Sequence, residues 1–169
     1  MSLGQGCRTE HYLIIDIDFN AVSIEKNTNG SFYVRTSSIK DKLMFIISYR
    51  TERVYAYAPL GNVCYALTLP TAIDNSLLRN TFSITFDKTF IYNGNTILAM
   101  TNIFEIDAIS KEINEFETNN PPWEIGLEFS DVFFKNSVFD ISEEYAVTFS
   151  CETTDNNFFE KTTIIKFEN

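Results

Sequence analysis

Apolar and polar residues alternate along most of this chain, and most regularly between residues 42 and 69. Leu43, Phe45, Ile47 and Tyr49 alternate with Met44, Ile46, Ser48 and Arg50. After Thr51-Glu52, Val54, Ala56 and Ala58 alternate with Arg53, Tyr55 and Tyr57. A period of two is the mark of strands half-buried on a sheet. With Thr51-Glu52 as the connection, the two runs read as a hairpin with Tyr49 opposite Val54 and Ile47 opposite Ala56.

The same pattern predicts further strands. Residues 12–19 place Ile15, Ile17 and Phe19 on one face and Asp16 and Asp18 on the other. Residues 22–36 read as a hairpin around a three-residue loop, Thr28-Asn29-Gly30, with Gly30 left-handed and Ile24 opposite Val34. Pro59-Leu60-Gly61-Asn62 is a turn, 63–69 a strand closed by Pro70, and 71–79 a loop with room for one helical turn. Residues 80–86 set Phe82, Ile84 and Phe86 against Thr81, Ser83 and Thr85. Residues 90–92 and 96–100 flank Asn93-Gly94, the strongest short hairpin signal in the chain.

One stretch breaks the period. Ile106, Ile109, Ile113 and Phe116 recur at helical spacing with acidic residues and Lys111 between them, which predicts a helix over 105–116. Thr118-Asn119-Asn120-Pro121-Pro122 reads as a stiff connector, because prolines cannot donate to a ladder. Strands resume at 123–130, where Trp123, Ile125, Leu127 and Phe129 share the buried face. Residues 132–141 are irregular. Residues 145–151 and 158–167 form a last hairpin.

Nine to eleven short strands with turn signals between them and one short helix predict an all-β fold. The expected architecture is a two-sheet antiparallel β-sandwich or jelly roll, with a closed β-barrel as the alternative. The 169 residues suffice for one domain with its own core. Met1–Gly4 resembles an expression-vector remnant, which leaves 5–169 as the single domain. The 16 Phe and 8 Tyr suit pleated surfaces. Abundant Asn, Ile and Phe are typical of AT-rich genomes, those of some viruses among them.

Charge and residue inventory remove several chemistries. A net charge of −10 argues against nucleic-acid binding, which rests on clustered Lys and Arg. No run of 18 apolar residues predicts membrane insertion. His11 is the one histidine, at the start of the first strand, which disfavours multi-histidine metal sites and histidine triads. Six glycines form no phosphate-binding loop, so no nucleotide cofactor is expected. Cys7, Cys64 and Cys151 lack metal spacing and read as reduced thiols. Asp16 with Asp18, and Glu124 with Glu128, are the carboxylate pairs a glycosidase would need. As alternating strand residues they read as solvated, and so do the calcium candidates, Asp16 with Asp18 or Asp155 with Asn156 and Asn157. The sequon Asn29-Gly30-Ser31 carries no weight.

One constellation remains. The predicted hairpin gathers Ser48, Arg50, Arg53, Tyr55 and Tyr57 on its non-core face. Adjacent arginines suit a carboxylate, and tyrosines offer flat stacking surfaces with hydroxyls. The expectation is a non-enzymatic binding module for a glycan or other surface ligand, within an extracellular or virion-surface protein and without a cofactor or metal. The alternative is a protein-interaction or capsid-like structural jelly roll, and a carboxylate-pair hydrolase comes third.

Overall fold

A computed structural model describes residues 8–27, 30–40, 42–57, 72–73, 75–117 and 123–168. The architecture is an all-β sandwich, and among the described residues no sheet closes into a barrel. The first sheet runs β2 (Gly30–Arg35), β1 (Arg8–Asn27), β4 (Met44–Tyr57), β10 (Glu124–Phe129), β9 (Ile113–Glu117), with β5 (Ala72–Ile73) parallel to the start of β1. The second runs β3 (Ser38–Ile39), β13 (Phe158–Phe167), β12 (Glu144–Thr153), β6 (Leu77–Phe86). A small third sheet, β11 (Ser137–Val138), β7 (Phe90–Tyr92), β8 (Asn95–Ile97), lies beside them.

The inward residues of the two large sheets form one core. Ile17, Phe19, Phe45, Ile47, Ile125 and Leu127 meet Ile84, Phe86, Tyr145, Val147, Phe149 and Ile165. Phe19 stacks across the gap on Phe149 with ring centres 5.5 Å apart. Trp123 is buried with this face, as its alternation predicts. The 90–97 hairpin forms as expected: Asn93 and Gly94 both take positive φ, 49° and 75°, the backbone that a two-residue turn between twisted strands requires. The 144–167 hairpin also forms.

Several expectations fail, each for a local reason. Thr51-Glu52 is not a turn. β4 runs unbroken through it and pairs with β1 from Met44 opposite Val22 to Tyr57 opposite Arg8. Neither Thr nor Glu favours the positive φ of a tight hairpin turn, while the 20-residue β1 supplies a partner along the whole strand. Within β1 the alternation shifts. A bulge lies between Ile14 and Asp16, so Ile14 and Ile17 are both buried and Ile15 is exposed rather than inward. The β1–β2 register sets Ile24 opposite Tyr33 and Asn27 opposite Gly30, one residue from the predicted pairing, while Thr28 and Asn29 lie outside the described residues.

The helix over 105–116 is also corrected. The segment makes a 3-10 turn (Ile103–Glu105), a single turn α1 (Asp107–Ser110), and then β9. Its four apolar positions divide between two structures: Ile106, between the two turns, is half-buried and Ile109 fully buried, while Ile113 and Phe116 lie on opposite faces of a strand. Strand pairing with β10 overrides the helical spacing, and Gly126 of β10 gives the Phe116 ring its seat. Residues 131–136, read as irregular, form a second short helix α2 (Asp131–Asn136) whose cap, Ser130, accepts from Val132 and Phe133 N–H. β5 and the first residues of β6 replace part of the 71–79 loop. The 59–62 turn, the 63–69 strand, the 118–122 connector, Cys7, Cys64 and Asn29 of the sequon lie outside the described residues.

Candidate functional site

The continuous β4 divides the predicted ligand set. Ser48 and Arg50 belong to the outer face of the first sheet, and register position 53 belongs to the opposite face. Arg50 donates to Asp16 at 3.1 Å, and Asp16 also takes Lys161 of β13 at 3.0 Å. Desolvation pushes the Asp16 carboxyl up, but hydrogen bonds from Lys161 and the Ile17 backbone, with the charges of Lys161 and Arg50, hold it below the usual 3.8. Arg53 lies over the Tyr12 ring at 5.7 Å and donates to its hydroxyl at 3.3 Å, while Tyr12 meets Trp123 edge-on at 5.1 Å. Tyr55 and Tyr57 stand in β4 opposite Glu10 and Arg8, and His11 stands in β1 opposite Val54; the side chains of all three lie outside the described set.

Ser48 is the predicted residue that lines a groove. Strand order sets β2, β1, β4 and β10 side by side, and their register builds rows across the outer face. Arg35, Val22 and Met44 form one row, Asn20, Ile46 and Gly126 the next, and Asp18, Ser48 and Glu124 the third. The groove over these rows has a volume of about 170 Å³ and is lined by Asn20, Val22, Arg35, Ile46, Ser48 and Glu124. Val22 and Ile46 make an apolar floor, part of a small cluster completed by Met44 and Phe116. Ser48 donates to Glu124 at 3.0 Å. Among the described residues, neither the Arg35 guanidinium nor the Asn20 carboxamide makes a hydrogen bond or ion pair. Unpaired donors and acceptors over an apolar floor are what a hydroxylated ligand with a C–H face requires.

Asn20, Arg35 and Glu124 are not found as a group from the linear chain. They come from three strands separated by up to 104 positions (124 − 20), and only strand order joins them. Asp155 serves the 153–157 turn: it accepts from Thr153 and from Asn157 Nδ2, and the Thr153 hydrogen bond leads the contributions that hold its carboxyl low. Glu124 and Glu128 share the outer face but sit in different rows. No group of three or more His, Cys, Asp or Glu among the described residues is placed to hold a metal. Cys151 is a free, buried thiol.

Compared with known protein families, with curated proteins and with solved structures, the chain matches none.

Proposed function

We propose that the protein is a non-enzymatic binding module that takes a glycan on the outer face of its larger sheet. The observation that carries this reading is the pair of unpartnered polar side chains, Arg35 and Asn20, beside an apolar floor. A pyranose would lay its C–H face over Val22 and Ile46. Its hydroxyls would accept from Arg35 and Asn20 and donate to Glu124. The guanidinium gives a carboxylated sugar an added bidentate contact.

A glycan array, followed by titration of any hit, tests the reading. Arg35→Ala and Asn20→Ala should each weaken binding by about tenfold with folding intact, as loss of a charge-assisted or buried hydrogen bond does. Arg53→Ala, on the other face, should leave binding unchanged. An array without hits, or variants that bind like the parent, would reject the proposal. The alternative of a protein-interaction domain has its own observation: Ile91, Val138 and Ile141 are 40%, 62% and 44% exposed beside two clefts that share Val138 and Phe139. Concentration-dependent self-association abolished by Val138→Ser, together with a blank array, would favour it.

A further inference from the structure

A second cleft opens on the inner side of the first sheet, between Tyr49 of β4 and Glu117 of β9 on one wall and Ser76, Leu77 and Arg79 on the other. It has a volume of about 240 Å³, and Ile14 and Leu77, both buried, form its floor. Its polar groups are at the rim. Arg79 donates to Glu117 at 2.8 Å, pairs with Glu115, and lies 5.2 Å over the Phe82 ring. Tyr49 donates its hydroxyl proton to Glu117 at 3.3 Å. Desolvation, and after it the charge of Glu117, raises the Tyr49 phenol well above its ordinary value, so it stays protonated. The Ser76 hydroxyl makes no hydrogen bond among the described residues.

The supply of partners at this rim is lopsided. Among the described residues, the Arg79 guanidinium is engaged by two carboxylates, Glu117 in the cleft wall and Glu115 beside it, which leaves this group of three with one formal negative charge in excess. The Tyr49 proton is already committed, so Tyr49 offers lone pairs. Glu117, Tyr49 and Ser76 thus present three oxygens that accept, above a floor of aliphatic carbon. An ammonium group has three N–H donors and no acceptor. A carboxylate or phosphate would meet like charge, and a neutral polyol would leave the excess charge uncompensated.

We propose that this cleft is a binding site for a small primary amine carrying a short aliphatic stem. The ammonium sits at the rim against Glu117, Tyr49 and Ser76, and the stem lies on Ile14 and Leu77. The site lies across the sheet from the glycan groove, so failure of either proposal leaves the other standing.

The test is titration of the isotope-labelled protein with butylammonium chloride, followed through the methyl resonances of Ile14 and Leu77, with n-butanol and sodium butyrate as comparisons at equal ionic strength. Saturable shifts of those two residues with the amine alone are expected. Glu117→Gln should weaken the amine by about tenfold or more, as removal of a charged partner does. Ser76→Ala, which removes no contact of the native fold, should weaken it less but measurably. That variant keeps the test decisive if Glu117→Gln fails to fold. Equal shifts with butanol, a preference for butyrate, no saturable shift, or an unaltered response in the folded Ser76→Ala and Glu117→Gln variants would overturn the proposal.

Discussion

At the scale of single residues, Asn75 shows how a polar side chain can complete a ladder. It follows closely on β5, the short parallel neighbour of β1, and it is buried. Its Oδ1 accepts from Ile14 N–H at 2.7 Å and its Nδ2 donates to Ile14 C=O at 3.1 Å, so the carboxamide pairs the backbone at the bulge as a strand would. Nδ2 also reaches the Asp155 carboxylate at 3.2 Å. Asn75→Ala leaves both Ile14 groups unpaired, and a loss of about 2–3 kcal/mol in urea unfolding is expected, the cost of unsatisfied buried polar groups. Asp16 makes a prediction about acid. Its folded carboxyl titrates below the 3.8 of the unfolded chain, so its contribution is complete above that pH and is lost as pH falls through the lower, folded value. Asp16→Asn should therefore flatten the fall of stability on the acid side in urea unfolding curves taken from pH 5 downward. An unchanged slope would show that Lys161 and Arg50 hold nothing there.

Among the elements, β9 and β10 are joined by a fit of large against absent. A Cβ built on Gly126 would stand 2.0 Å from the tip of the Phe116 ring, so Gly126→Ala forces the ring off its seat and uncovers Val22, Met44 and Ile46. The expected loss is about 1–3 kcal/mol, the usual cost of overpacking. In a Phe116→Ala background the same substitution should cost far less, and additivity in the double-mutant cycle would refute the fit. Most of the fold was legible from alternation, because each half-buried strand carries its own period: β6, β10, β12 and β13 lie close to where the pattern puts them. What was illegible depended on partners far along the chain. Thr51-Glu52 reads as a connection until the length of β1 is known, and Ile15 reads as inward until the bulge shifts the phase. Ile113 and Phe116 read as helix until β10 offers a ladder and a glycine. Of the predicted ligand residues whose side chains are described, Ser48 lines the groove; Asn20, Arg35 and Glu124 join it through register, which no local pattern encodes.

For the molecule as a whole, Cys151 reports on the integrity of the sandwich. Burial pushes its thiol up to about 12, so at pH 8 it is both protonated and shielded. With Cys7 and Cys64 replaced by Ser, it should stay unreactive toward a thiol reagent in the native protein and react at the rate of global opening. Rapid labelling in the absence of denaturant would mean that the sheets separate locally. A last consequence follows from Arg79 and its two glutamates. β9 is an outermost strand of the first sheet, with no strand along its free side among the described residues, whereas β6, at the end of the second sheet, has that side covered by Asn102 and Met100, which bond the backbone of Phe82, Ile84 and Phe86. Exposed strand borders of this kind template growth by other chains unless charge or distortion blocks them. The Arg79 pairs are partly exposed and add little to the folding free energy, on the order of 1 kcal/mol or less. They nonetheless place ionic side chains where an incoming strand would have to dock. Arg79→Ala should therefore barely move the unfolding midpoint and yet shorten the lag before thioflavin-positive fibrils form. On that outcome, one guanidinium does more to keep other chains off the border of β9 than to hold this chain folded.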